Sequence, residues 1–472
     1  MRINKFIVFV GHIIAILLLL VANITDSPQI SIISLTILLI ALVVFCLQDF
    51  DGKLGLSLYF VSMVIFLCAR PIIFFWTRDE NWMCGFFSGE FIPAINAIFL
   101  SFVCLALGYH AGSRKIKVQI GDFGLTRRFA DEKFAINKLR TYSFYLCVFS
   151  TIIALYFEMQ RLAYALANGY VSLYYSYENS SIAIRALIMS RSCLFIALAT
   201  NPPIKLAKKL LLFSAVIPFI KLIEGGRSEF VMIMMFIFFY LYTDRENKLE
   251  NKITYKKMKY IFLVAFIIFC GMPFLYAWGF LRTDRSYEMR NLLDGAISFM
   301  TEQSGTFNLV GYAVRYEGKL PGINYTFGPF IDRILGNNYA SFTVEAAMNT
   351  NQFGTVMTYL TKTYNYLNLY DGIGTSYVAE LLYDFGYIGV MAGNLIIGYI
   401  LYKLTRFKAN SMFFQAIYFI FFYYFFNLPR MNILNPIQQL VSATNISIFI
   451  ILFGISKKRG GTQGYGTIGE KT

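Results

Sequence analysis

ISIISLTILLIALVVFCL, residues 30–47, contains no charged side chain. A helix rises about 1.5 Å per residue and the hydrocarbon of a bilayer is about 30 Å thick, so about 20 mostly apolar residues cross it. In lipid every backbone N–H and C=O has to be paired within the segment, which makes such a block a helix. The block recurs. Comparable apolar stretches lie at 6–23, 54–76, 91–110, 141–158, 184–200, 210–224, 229–243, 260–281, 387–404, 411–427 and 440–455. Composition agrees: the chain is 57% hydrophobic and 15% charged, against about 25% charged in soluble proteins, and its mean hydropathy is +0.56. The expected fold is an all-α polytopic integral membrane protein with about 12 transmembrane helices and one large periplasmic loop. The first block follows Met1-Arg2-Ile3-Asn4-Lys5, as a signal peptide would. No small-residue cleavage site is evident after it, and it reads as a retained first helix.

Charge orients these helices. With the N-terminus inside and the blocks alternating, the inside segments hold 27 of the 42 Lys and Arg residues, eight of them in 111–140 alone. Basic residues collect on the cytoplasmic side of membrane proteins, so both termini are expected there. The net charge of +15 is then largely topology and gives no support to nucleic-acid binding. The expected organisation is helices 1–9 over 1–281, the loop over 282–386, helices 10–12 over 387–456 and a flexible cytoplasmic tail over 457–472.

Several chemistries find no residues to support them. Of seven cysteines only Cys84 falls in an outside loop, so neither a disulfide framework nor a zinc site is implied. His12 and His110 lie at or in membrane segments. No phosphate-binding Walker pattern occurs, and Asp49-Phe50-Asp51 sits in a short inside loop, away from the other candidates. No cofactor or metal is expected.

The candidate residues lie on the outside. The loop 282–386 is nearly charge-balanced and rich in Tyr, Phe, Asn, Gly and Thr, which predicts a folded segment with short helices near 291–303 and 341–361. Aromatic rings suit the C–H faces of sugars, and they also anchor loops at the membrane interface. Arg282, Arg285 and Arg290 open the loop, and Arg matches phosphate oxygens bidentately. They could equally form an interfacial cluster with Asp284 and Glu288. Glu224-Gly225-Gly226-Arg227-Ser228-Glu229 predicts a hairpin turn with Ser228 capping the next helix. Arg227 then either grips an anion at that helix N-terminus or pairs with Glu224 or Glu229. Arg430, in Asn427-Leu428-Pro429-Arg430-Met431-Asn432, is a second outside helix-end arginine. Arg191 lies midway in an apolar block, where a charge usually faces a cavity or a partner. Glu380 and Asp384, one turn apart before a span, form an acidic pair at the boundary, and Gly386 is placed to end or bend their helix.

GGRSEF at 225–230, the Arg-rich start of a large outside loop and GIGTSYVAELLYDFGYIGV at 372–390 together resemble the Wzy-type O-antigen polysaccharide polymerases. The resemblance covers most of the chain as architecture and these short runs as motif. It implies a glycosyltransferase of the bacterial inner membrane. Such an enzyme moves a growing glycan from undecaprenyl pyrophosphate onto a lipid-linked repeat unit at the periplasmic face, beside a flippase and a chain-length regulator. Arg282 and Arg285, with Arg227, would then stabilise the departing pyrophosphate, with Arg290, Arg430, Arg191 and Ser228 as further substrate contacts. Glu380 would take the acceptor proton. An O-antigen ligase, expected to use an outside His, and a flippase, expected to have short loops and a charged central cavity, are the alternatives.

Overall fold

The computed structural model describes residues 5–50, 52–114, 135–169, 172–175, 177, 180–224, 227–242, 291–337, 339, 342–368, 372–405 and 412–457. Among them the chain is helical and forms no strand.

Four apolar helices come first: α1 (Lys5–Ile24), α2 (Pro28–Leu47), α3 (Leu54–Trp76) and α4 (Ser88–Arg114). Then come α5 (Ile136–Asn168), α6 (Ser181–Ala199), α7 (Ile204–Ser214), α8 (Val216–Glu224) and α9 (Arg227–Tyr242). The expected count of spans is only partly met. Among the described residues, seven helices are long and apolar enough to cross a membrane: α1 to α6, and one over Tyr377–Leu404. Three shorter apolar helices lie at Ser228–Leu241, Met412–Phe425 and Ala443–Ile455. The block at 210–224 is not one helix. Pro218 has no N–H for the carbonyl of Ser214 four residues back, and α7 ends at Ser214. The block at 260–281 lies outside the described residues.

Between Asn291 and Asn368 run six shorter helices: α10 (Leu292–Gln303), α11 (Thr306–Arg315), α12 (Gly328–Leu335), α13 (Val344–Asn349), α14 (Phe353–Thr361) and α15 (Thr363–Asn368). Side chains fix their starts. Asn291 accepts from the Asp294 N–H at 2.9 Å, and Thr343 accepts from the Ala346 N–H at 3.1 Å, each satisfying a first-turn donor that the helix itself cannot. The last helices are α16 (Tyr377–Thr405), α17 (Met412–Phe425), α18 (Asn435–Leu440) and α19 (Ala443–Ile455).

Among the described residues, α4 packs extensively along α16. A Cβ on Gly398 would stand 2.1 Å from the Leu105 carbonyl, and one on Gly108 would stand 2.1 Å from that of Leu395. Only glycine lets the two backbones approach so far, as at small-residue interfaces in membranes. Asn394, fully buried there, accepts from the Tyr377 hydroxyl at 2.7 Å and donates to Ser101 Oγ at 3.1 Å. The outward faces are apolar, as a lipid-facing surface has to be: Phe6, Phe9 and Leu17 on α1, Phe149 and Ile152 on α5, and Ile450 on α19 are all exposed.

The short helices are fastened to this bundle. α11 packs against both α4 and α16. Arg315, at the end of α11, donates through Nε and Nη2 to the two oxygens of Glu90, each at 2.7 Å, and lies 4.9 Å over the Phe86 ring. Such a fork-to-fork pair fixes orientation as well as distance. Hydrogen bonding to Glu90 raises the Arg315 pKa still further.

Candidate functional site

The third helix is wound irregularly where it matters most. Val64–Cys68 is a π-helical turn, the kind of defect that collects at functional sites. Its cause is local: Pro71 has no N–H to return to the turn before it. The Phe66 carbonyl in that turn accepts instead from the Thr306 hydroxyl, just after α10 ends. Two residues before the turn, the Ser62 hydroxyl donates to the Phe426 carbonyl. Helix α3 thus binds the loop helices on one side and the connector after α17 on the other.

That connector carries Arg430. Asn427–Arg430 closes a short 3-10 turn led by Pro429. The Arg430 guanidinium donates from Nη1 to Gln303 Oε1 at 2.8 Å and lies 5.8 Å from the Phe66 ring centroid. Two residues on, Asn432 reaches into the knot below. Its Nδ2 donates to Glu380 Oε2 at 2.8 Å and approaches the carbonyls of Thr326 at 3.0 Å and Tyr325 at 3.1 Å. The other Glu380 oxygen accepts from the Thr375 hydroxyl at 2.7 Å.

Asp384, one turn after Glu380, holds the same dipeptide by its amides: Thr326 N–H at 2.6 Å and Tyr325 N–H at 2.9 Å. Two residues later Gly386 adopts φ 60° and ψ −156°, kinking α16. Only glycine enters that region readily. The kink separates the turn that bears Glu380 and Asp384 from the rest of the helix. Burial pushes the Tyr325 phenol up to about 12.

Glu380 is 1% exposed. On the segments joined here, Ser304 Oγ, Thr326 Oγ1, Ser376 Oγ and Asn427 Oδ1 are buried without a hydrogen-bond partner among the described residues. Buried polar atoms are ordinarily paired, and a group of orphans on converging segments marks a place built for something other than packing.

A second polar cluster lies within the bundle. Arg191 on α6 donates to Glu229 on α9, and through Nη1 to the Tyr424 hydroxyl at 3.3 Å. Lys221 on α8 pairs with Glu229 at 3.2 Å and with Glu158 on α5 at 3.3 Å. Two cations and two carboxylates from four helices thus neutralise one another, the arrangement expected of charges in a membrane interior. The two clusters share a segment. The Asn427 N–H donates to the Tyr424 carbonyl at 3.2 Å and the Arg430 N–H to the Asn427 carbonyl at 2.9 Å, so one short stretch touches Arg191 at its start and Gln303 at its end.

Of the residues singled out in the sequence, Glu380 and Arg430 therefore meet in one junction. Arg191 joins the hairpin segment through Glu229, which takes up that carboxylate as a partner. Helix α9 begins at Arg227, so Ser228 stands within its first turn. Arg282, Arg285 and Arg290 lie outside the described residues, immediately before the segment that forms α10. Asn432, Gln303, Thr306, Lys221 and Glu158 were not singled out. Glu158 and Lys221 carried a signal, each being a charge within an apolar block. Asn432 and Thr306 carried none until their partners were in place.

Among the described residues no group of three or more His, Cys, Asp and Glu is arranged to hold a metal ion. No curated protein and no solved structure matches the chain. The family model for the O-antigen polysaccharide polymerase Wzy matches residues 4–459. With its multiple apolar helices, the chain is a multi-pass membrane protein that belongs to the Wzy O-antigen polysaccharide polymerase family.

Proposed function

We propose that the chain polymerises O-antigen at the periplasmic face of the bacterial inner membrane, with both termini cytoplasmic. The donor is a growing glycan on undecaprenyl pyrophosphate, and the acceptor is a hydroxyl of a single repeat unit on the same lipid. The bond between the anomeric carbon and the pyrophosphate oxygen breaks. The acceptor oxygen bonds to that carbon, its proton passes to a carboxylate, and undecaprenyl pyrophosphate departs with the negative charge. A flippase that delivers the repeat unit and a chain-length regulator are the proposed partners. The ligase and flippase readings draw no support from the family.

The observation that carries this reading is the junction of Arg430, Asn432 and Glu380. It sets a cation and a carboxylate from distant parts of the chain beside orphaned polar atoms. Preplaced guanidinium groups stabilise a pyrophosphate leaving group. Arg282, Arg285 and Arg227 are the proposed clamp, with Arg290, Arg430, Arg191 and Ser228 as further contacts. Glu380 is the proposed proton acceptor. Its burial and its two filled oxygens favour a second role as well, holding Asn432 and hence the Arg430 turn in place.

The test is purified protein in vesicles with undecaprenyl-pyrophosphate-linked repeat units as the sole substrate. A ladder of lipid-linked products is expected. No product longer than one repeat, with transfer only when a lipid A-core acceptor is added, overturns the polymerase reading in favour of a ligase.

A further inference from the structure

A separate concavity lies among the short helices, between α12, α13 and α14, with a volume of about 190 Å³. Its walls include Asn337, Tyr339, Phe342, Gln352, Thr355 and Tyr366. The frame is firmly tied. Asp332, 7% exposed, accepts from the Asn351 side-chain amide at 3.0 Å and its N–H at 3.1 Å, which closes the end of α12 against the approach to α14. The buried Tyr366 donates to the Thr343 carbonyl at 3.2 Å and sets its ring 5.3 Å from that of Phe342. Phe342 holds φ 61°, a left-handed conformation that bulky side chains rarely adopt, with its side chain in the wall of the cleft.

The lining selects a class of ligand. It contains no Lys or Arg among the described residues, and its one charged side chain there, Asp332, repels an anion, so a phosphate finds no counter-charge. Its amides and hydroxyls are wrong for a lipid chain. Gln352 Nε2, Asn337 Oδ1 and the Tyr339 hydroxyl have no hydrogen bond among the described residues. Aromatic rings with a few convergent uncharged polar groups suit a pyranose, which has a C–H face and a rim of hydroxyls. We propose that this cleft holds one sugar ring of the oligosaccharide repeat unit, apart from the junction at Glu380. The proposal rests on the polymerase reading and names where the glycan, as distinct from its lipid pyrophosphate, is recognised.

The probe is the repeat-unit oligosaccharide released by mild acid from the undecaprenyl-pyrophosphate-linked repeat unit used in the vesicle assay. It is titrated into the detergent-purified full chain, with binding followed by saturation-transfer NMR. Tyr339→Ala and Gln352→Ala are each expected to weaken binding by about 3–10-fold, the effect of one hydrogen bond. In the vesicle assay they should raise KM for the lipid-linked repeat while leaving kcat nearly unchanged. Gln352 is exposed and Tyr339 half-buried, so thermal melting should not move. Wild-type affinity in both variants overturns the cleft. So does a wild type that extends lipid-linked chains yet binds no released oligosaccharide. Absence of chain extension by the wild type overturns the parent reading instead, and is read in the vesicle assay alone.

Discussion

Asn432 donates to Glu380 across 2.8 Å and fifty-two residues of sequence, joining the connector after α17 to the first turn of α16. The same amide lies against the Tyr325 and Thr326 carbonyls, while Asp384 takes the two N–H groups of that dipeptide. This loop dipeptide is therefore gripped by donors on one side and acceptors on the other.

Glu380→Gln separates chemistry from scaffolding. Gln keeps the size and can still accept from Asn432 while its NH2 donates to the Thr375 hydroxyl, but it cannot take a proton at neutral pH. If Glu380 is the base, chain extension in vesicles falls by about 10²–10⁴ while melting temperature and yield hold. If it only supports Asn432, Glu380→Gln extends chains near the wild-type rate. Asn432→Ala then becomes the damaging change, leaving buried acceptors unpaired at about 1–3 kcal/mol. Calorimetry and the product ladder, read on both variants, decide between them.

The proposed arginine clamp makes a prediction about geometry rather than charge. Arg227→Lys and Arg282→Lys retain the cation and lose the planar fork. Each should cut chain extension, by up to about 10²–10³ for loss of one charge-stabilising donor. Protein level should stay normal. A wild-type lipopolysaccharide ladder from Arg227→Ala at normal level removes Arg227 from the site.

The intramembrane cluster predicts a rescue. Lys221→Met leaves Glu158 and Glu229 with one cation between them, and breaking a buried pair typically costs about 3–5 kcal/mol. Membrane-extracted yield should drop. Adding Glu158→Gln restores the balance, so the double variant should recover most of the loss. A double variant no better than Lys221→Met shows that the cluster is not held together by charge balance.

Cys84 offers a pH test on the loop between α3 and α4. Burial pushes its thiol up to about 12, so the thiolate that reacts is scarce at neutral pH. Raising the pH from 7 to 9 should speed its modification about tenfold per unit without reaching a plateau. A cysteine at Ile323, a position 97% exposed, should level off near pH 9 with the ordinary thiol value of about 8.5. With a membrane-impermeant reagent in whole cells, Ile323→Cys should label and a cysteine at Glu250 should not. The reverse pattern inverts the proposed orientation.

Hydropathy made the long apolar helices legible, because a bilayer imposes one length and one composition on whatever crosses it. It failed at 210–224, where Pro218 outweighs the apolar run. Gly386 was legible as a bend, since few residues but glycine can make one there. Within the site, Arg430 and Glu380 stood out as charges at helix ends. Nothing local announced that they meet, because the contact runs through Asn432, an ordinary polar residue until Glu380 is beside it. Thr306 is the same case: its partner is a carbonyl freed by a proline in another helix.

That freed carbonyl has a consequence for biogenesis. Phe66 enters the membrane early, but the hydroxyl that satisfies its carbonyl belongs to Thr306, 240 residues later. At about 5–20 residues per second the ribosome takes on the order of tens of seconds to supply it. The third helix therefore waits, incompletely bonded, through the insertion of those that follow. Quality-control proteases of the membrane should find this helix most vulnerable in nascent chains that stop short of residue 306.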